Sequence, residues 1–238
     1  MEKRAGWLFR YRGQVPLFLI LLVLPFVLAL DWRVFPDAKG QFGVHVLSWM
    51  LLSMGLIFRA YVTGYRLPHT SGRNRTNQVA ESLNQLGAYS LCQHPLYFSN
   101  ILLWIGGLLL SNHLVLIAFS LPLSLLFHLR LMRSEQLFLS ERFGEEYRTW
   151  SAKTSLLLPS FRAFKPNQST FNFKRVLATE YPTWVTIMVL SWGMLCLNAY
   201  HEKAFLSWGK GDTLFLFLVL LVGFGGRFYK YVWLKKKV

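Results

Sequence analysis

LYFSNILLWIGGLLLSNHLVLIAFSLPLSLLFHLR, residues 96–130, carries no charged side chain before its final arginine. Its polar break, Ser111-Asn112-His113, divides two apolar runs at 96–110 and 114–129. Each run approaches the ~17–25 residues with which a helix crosses the hydrocarbon of a bilayer. So short a break permits only a reversal, so the stretch predicts a tight helical hairpin with both open ends on one membrane face. Further runs lie on either side: 15–30, 42–62 with Arg59 near its end, 183–200, and 212–233, where aromatic residues extend the apolar core of 214–226. Together they predict an all-α fold, a polytopic transmembrane helical bundle of about six spans. The run at 15–30 is too long for a signal-peptide core and lacks a small-residue cleavage site after it, so it is expected to be a span.

The composition of the 238 residues agrees. Hydrophobic residues make up 53% and charged residues 16%, with mean hydropathy +0.33, whereas soluble domains run near ~25% charged. Disorder, a disulfide scaffold and a coiled coil are excluded on the same grounds. Two cysteines, Cys92 and Cys196, support neither a metal cluster nor a disulfide framework, and no metal is expected. A net charge of +15 suits nucleic acid in principle, but its placement points to lipid. With six spans, 22 of the 26 Lys and Arg fall on one side, leaving Arg33, Lys39, Lys203 and Lys210 on the other. This asymmetry predicts cytoplasmic N- and C-termini, with the basic flanks against anionic membrane phospholipids and no nucleic-acid partner. The brevity of the chain favours a bacterial inner membrane.

Two polar segments face the expected cytoplasm. Residues 64–92 open with HTSGRNRTN, within which TSGRN (70–74) suits a phosphate or a helix start equally well. TNQVAESLNQL (76–86) then predicts a short helix, with Gly87 as its C′ residue. Residues 130–175 begin as a continuation of the fourth span, in which Leu137, Leu139 and Phe143 punctuate a charged helix that Gly144 interrupts. Pro159 and Pro166 mark a linker. Gly106-Gly107 is expected to let the hairpin helices approach closely. The Gly223-Phe-Gly225-Gly226 segment, inside an apolar helix and without a preceding strand, reads as helix packing and not as a nucleotide loop.

Polar groups at membrane depth are costly and are functional candidates by default. Two clusters flank the hairpin: YSLCQHPLYFSN at 89–100 and RLMRSEQ at 130–136. The hairpin should bring them together. Pro95 suits a helix start, since its missing N–H is not needed there, and the free N–H groups of that helix end suit an anion.

These residues resemble the isoprenylcysteine carboxyl methyltransferase and phospholipid methyltransferase family, integral-membrane enzymes that use S-adenosylmethionine. The family pattern G-x-Y-x-x-x-R-H-P-x-Y-x-G reads here as GAYSLCQHPLYFS, from Gly87. The later pattern R-x-E-E-x-x-L-x-x-x-F-G-x-E-Y reads as RSEQLFLSERFGEEY, from Arg133, followed by the late Pro159. Order, spacing and membrane context match over roughly seventy residues; the first two and last two spans lie outside the likeness. Gln93 stands where the family usually has Arg, Ser99 where it usually has Gly, and Gln136 where it usually has a second Glu. Gln keeps hydrogen-bonding capacity without charge, so an anionic substrate group must find its cation elsewhere.

The resemblance implies a single membrane-embedded methyltransferase-like domain over 1–238, with its motif region at 64–160. It implies S-adenosylmethionine as cofactor and a lipid or lipid-linked substrate. Gln93, His94, Pro95, Tyr97, Asn100, Glu135 and Gln136 would line the cofactor pocket, Glu135 meeting the cofactor's ammonium. Arg130, Arg133 and Lys153 would steer the substrate's anionic head, with Glu135, Arg133 and His94 closest to the chemistry. O-methylation of a carboxylate or phosphate leads. The alternatives are N-methylation of a phospholipid amine, a sterol-reductase-like enzyme using NADPH, and a membrane protein of the same fold with reduced turnover.

Overall fold

The structure is a computed structural model that describes residues 15–66, 81–201 and 210–233. Its helices are α1 (Val15–Ala29), α2 (Ala38–Tyr65), the single turn α3 (Ala88–Leu91), α4 (Pro95–Leu109), α5 (Leu114–Lys153), α6 (Phe173–His201) and α7 (Lys210–Phe228). A 3-10 turn lies at Phe161–Ala163, and α7 runs on into a π-helical turn at Tyr229–Trp233. The expected all-α architecture is observed. The α2, α5 and α6 helices and the segment Gly211–Val232 are long and apolar enough to cross a membrane. The α1 and α4 helices, at 15 residues each, rise only ~22 Å. Four of the six expected spans therefore reach full crossing length among the described residues. Phe42, Ile57, Phe119, Phe217 and Phe224 project outward, as expected where lipid is the solvent.

Small residues set the closest helix contact, but not where the sequence suggested. A methyl group on Gly106 would lie 2.9 Å from the backbone oxygen of Ser48, and one on Gly55 would lie 3.1 Å from that of Ser99. The Gly106 contact thus belongs to the α2–α4 seam and not to the hairpin, and a methyl on Gly107 would meet nothing within 4 Å. The seam uses backbone approach because lipid offers no hydrophobic drive between helices. Gly226 does serve helix packing: its face lies against the Tyr181 ring of α6.

The hairpin turn is sealed by the α1–α2 connection. Asn112 adopts φ 50°, a region that Asn tolerates better than most residues. Its carboxamide accepts from Phe35 N at 3.1 Å and donates to Phe35 O at 2.7 Å, while Leu114 N donates to Trp32 O at 2.8 Å. Ser111, Asn112 and His113 are consequently buried.

The other end of the bundle is closed by a strap, residues 154–172. Gln93 N donates to Ser155 O at 2.8 Å, Ser160 N to Leu91 O at 3.0 Å, Gly87 N to Lys165 O at 2.8 Å and Asn172 N to Gly64 O at 3.0 Å. The helix expected at 76–86 is only partly in view. Its first part, and TSGRN, lie outside the described residues, while 81–86 is non-helical. Gly87 is not a C′ residue: at φ +59° it precedes α3, and a Cβ there would collide with the Asn167 carboxamide of the strap. Tertiary contact overrides the local helical pattern here.

Gly144 interrupts α5 as expected, with φ 51° and ψ −120°. Along a straight helix Leu139 and Trp150 would be ~16 Å apart. The bend instead folds Tyr147 and Trp150 back onto Leu139, with Leu83 and Tyr89 packed alongside.

Candidate active site at the strap end of the bundle

His94 is the residue that caps α4, with Pro95 as its first helical residue. The backbone there has φ −123° and ψ 62°, and the imidazole makes no capping hydrogen bond. The ring is turned instead toward α5, where Nδ1 lies 3.6 Å from Oε2 of Glu135. The histidine side chain is 3% exposed and the glutamate 17%, so the pair sits at the edge of the protein interior. Nε2 of His94 is buried without a hydrogen-bond partner among the described residues. The ring packs edge-on against Tyr97 at 5.6 Å, and Tyr97 in turn meets His128 of α5 at 6.1 Å.

Gln93, in the place of a family arginine, acts as a clasp. Its amide nitrogen donates to Ser151 O at 3.0 Å and Thr154 O at 2.8 Å, satisfying carbonyls at the end of α5. Its amide oxygen accepts from Gln136 Nε2 at 3.4 Å. Trp150 Nε1 adds a bond to Tyr89 O at 3.2 Å. The two motifs, 43 residues apart at the glutamines, are thus joined side chain to side chain, as the hairpin required. Gln93, Gln136, Arg133, Tyr147 and Ser151 line an open groove beside the junction.

Other candidates lie apart. Asn100, one turn inward from Tyr97, does not face this junction: its oxygen accepts from Arg59 NH1 at 2.5 Å. Lys153 is exposed and lines a separate groove with Gln85, Glu146 and Lys165. Arg130 and Arg133 are both exposed on α5.

Sequence reading missed the most buried charge. Glu180, 1% exposed, accepts from the Arg59 guanidinium, from Thr63 Oγ1 at 2.9 Å and from Thr183 Oγ1 at 3.2 Å. This cluster ties α2, α4 and α6 together. Arg59, counted above as a basic flank, is therefore one half of a buried pair. The available signal was an isolated arginine and an isolated glutamate in two apolar segments, since intramembrane charges pair.

The electrostatics at the strap end arise from burial. The Cys92 thiol is pushed up to about 12 by burial, a neighbouring backbone hydrogen bond opposing the shift. The Tyr89 phenol is also raised, chiefly by burial; Glu135 adds to the rise and Arg66 opposes it. Both groups stay protonated at neutral pH.

Glu135, the buried His94 imidazole and the Tyr97 ring thus meet at the strap end of a bundle of apolar helices. The chain is similar to two proteins named "Probable protein-S-isoprenylcysteine O-methyltransferase", from Oryza sativa subsp. indica and Oryza sativa subsp. japonica. It is 29% identical to each over 168 residues, which is 63% of this chain and 84% of each relative. The likeness to that family therefore extends beyond the two motifs, and apolar helices and relatives together make the chain an integral-membrane protein. No protein-family model matches the chain. No solved structure matches it. Both relatives are plant proteins, so the expected bacterial membrane gains no support from them.

Proposed function

We propose that the chain is an S-adenosylmethionine-dependent methyltransferase that O-methylates an anionic oxygen, carboxylate or phosphate, of a lipid or lipid-linked acceptor. The observation that carries this reading is the His94–Glu135 approach, which unites the two motifs shared with the methyltransferases at one end of the bundle. The residues fit the cofactor: Glu135 carries a carboxylate suited to its ammonium, and His94 Nε2 is a buried polar atom without a partner among the described residues. The N-terminus of α4 offers free backbone N–H groups to its carboxylate.

Bound S-adenosylmethionine supplies a sulfonium methyl group that is already activated for displacement. The protein's task is alignment and exclusion of water. Tyr97 and Pro95 wall the chamber, and the Gln93–Gln136 clasp holds α4 against α5. Arg133 and, about one turn deeper on α5, Arg130, with Lys153 in its own groove, draw the anionic head toward the surface from which the acceptor's tail enters. Glu135 and His94 would hold the donor so that its methyl carbon meets the acceptor oxygen, the electron pair of the broken carbon–sulfur bond leaving with sulfur. A carboxylate or phosphate oxygen carries no proton at neutral pH, so no strong general base is needed. The asymmetry of basic residues in the sequence supports a cytoplasmic location for this end of the bundle and for both termini.

Membranes containing the protein, supplied with S-adenosylmethionine labelled in its methyl group, should yield labelled lipid; mild alkali should release the label as methanol from a carboxylate ester and leave it on a deacylated methyl phosphodiester where the acceptor is a phosphate. Label recovered as a methylated amine after complete hydrolysis would indicate an amine acceptor. Nicotinamide oxidation without label would indicate a reductase, and neither signal would indicate lost turnover.

A further inference from the structure

Tyr89 separates the His94–Glu135 junction from a cavity of ≈ 290 Å³, walled by Tyr61, Tyr65, Arg66, Asn84 and Asn167 among others. Among the described residues, no acidic side chain lines it. Arg66 follows the last residue of α2, and Arg175, in the first turns of α6, donates to the Arg66 backbone oxygen. Arg66 lines the cavity and Arg175 stands behind it, bonded to its backbone, and no carboxylate pairs with either among the described residues. Neighbouring like charges are relieved by an anion, and the planar guanidinium fork matches phosphate oxygens. The remaining polar lining is neutral. Tyr61 accepts from Asn167 Nδ2 at 2.9 Å, so its own hydroxyl hydrogen is left for another acceptor.

Depth distinguishes a lipid from a soluble ion. The strap that carries Asn167 into the cavity exposes Phe161, Phe164 and Phe171, and Phe173 follows at the start of α6. A fringe of exposed aromatics at the end of a spanning helix lies at the level of lipid headgroups. The Tyr89 phenol lies in the fields of both Arg66 and Glu135, so a head seated in the cavity is next to the junction.

We propose that this cavity receives the phosphomonoester head of a membrane lipid, with Arg66 as its principal ligand and Tyr61 and Asn84 as neutral donors. The inference rests on the methyltransferase reading only in making that lipid the acceptor; the binding itself is independent of it.

The test uses purified full-length protein in detergent without methyl donor, titrated with dioctanoyl phosphatidic acid, dioctanoylglycerol or glycerol 3-phosphate and followed by calorimetry. Phosphatidic acid should saturate, and dioctanoylglycerol should not. Arg66→Gln should weaken phosphatidic acid about tenfold or more, as loss of a charged hydrogen bond implies, and Arg66→Lys should weaken it less. If Arg66→Gln fails to fold, Tyr61→Phe and Asn84→Ala provide the readout, each with a smaller loss. Equal binding of dioctanoylglycerol, or unchanged affinity in folded Arg66 variants, would overturn the proposal. Glycerol 3-phosphate binding as tightly as the lipid would overturn the lipid as occupant. A chain that binds phosphatidic acid but transfers no methyl group contradicts the proposed function alone.

Discussion

At residue scale, the position of His94 argues against a merely structural role. A capping side chain would bond to the first turn of α4, yet this ring faces Glu135. Replacing Glu135 with Ala should weaken S-adenosylmethionine binding about tenfold or more, read by calorimetry; unchanged affinity would remove Glu135 from the site. The Arg59–Glu180 pair makes the opposite kind of prediction. Removing either partner leaves a buried charge uncompensated and should lower stability by about 3–5 kcal/mol, while the double replacement by Leu should recover most of the loss. Thermal unfolding of the three variants in detergent measures this. For Cys92 the folded-state value lies above the ordinary thiol value of 9.0. Its contribution to stability is intact below pH 9, and ionisation of the unfolded chain erodes it as pH rises through 9 toward 12. Alkylation at pH 8 should therefore be far slower in folded than in denatured protein.

At element scale, Gly144 and the strap build the site. The backbone of Gly144 is in a region that other residues enter at about 1–3 kcal/mol. Gly144→Ala should thus loosen the Tyr147–Trp150 fold-back and shift tryptophan emission, even though open space awaits the added methyl. The hairpin, the Gly144 break and the linker prolines were legible because each follows from a local pattern. Of the helix expected at 76–86, the described part, 81–86, is not helical, and it leads into Gly87, which is fixed by the strap residues Lys165 and Asn167, far along the chain. The Gly106 contact went to α2 for a related reason: a glycine announces close approach but does not name its neighbour.

At the scale of the whole molecule, the sequence revealed the helical membrane architecture and the meeting of the motifs. Apolar run length and hairpin geometry are nearest-neighbour properties. It did not reveal the Arg59–Glu180 pair, 121 residues apart, or the Arg66 cavity, assembled from α2, the 83–89 segment and the strap. Such sites come from tertiary packing, and most of their residues, unlike Tyr89, belong to no motif. The two ends of the bundle are built differently, one sealed around Asn112 and the other strapped but open beside Glu135. The most direct test of the central claim is an experimental structure of the protein with S-adenosylhomocysteine. The account predicts the ligand at the strap end, its amine within hydrogen-bond reach of Glu135 and its sulfur between Tyr97 and the Arg66 cavity. Ligand seated at the Asn112 end, or held at the strap end without contact to either His94 or Glu135, would contradict it.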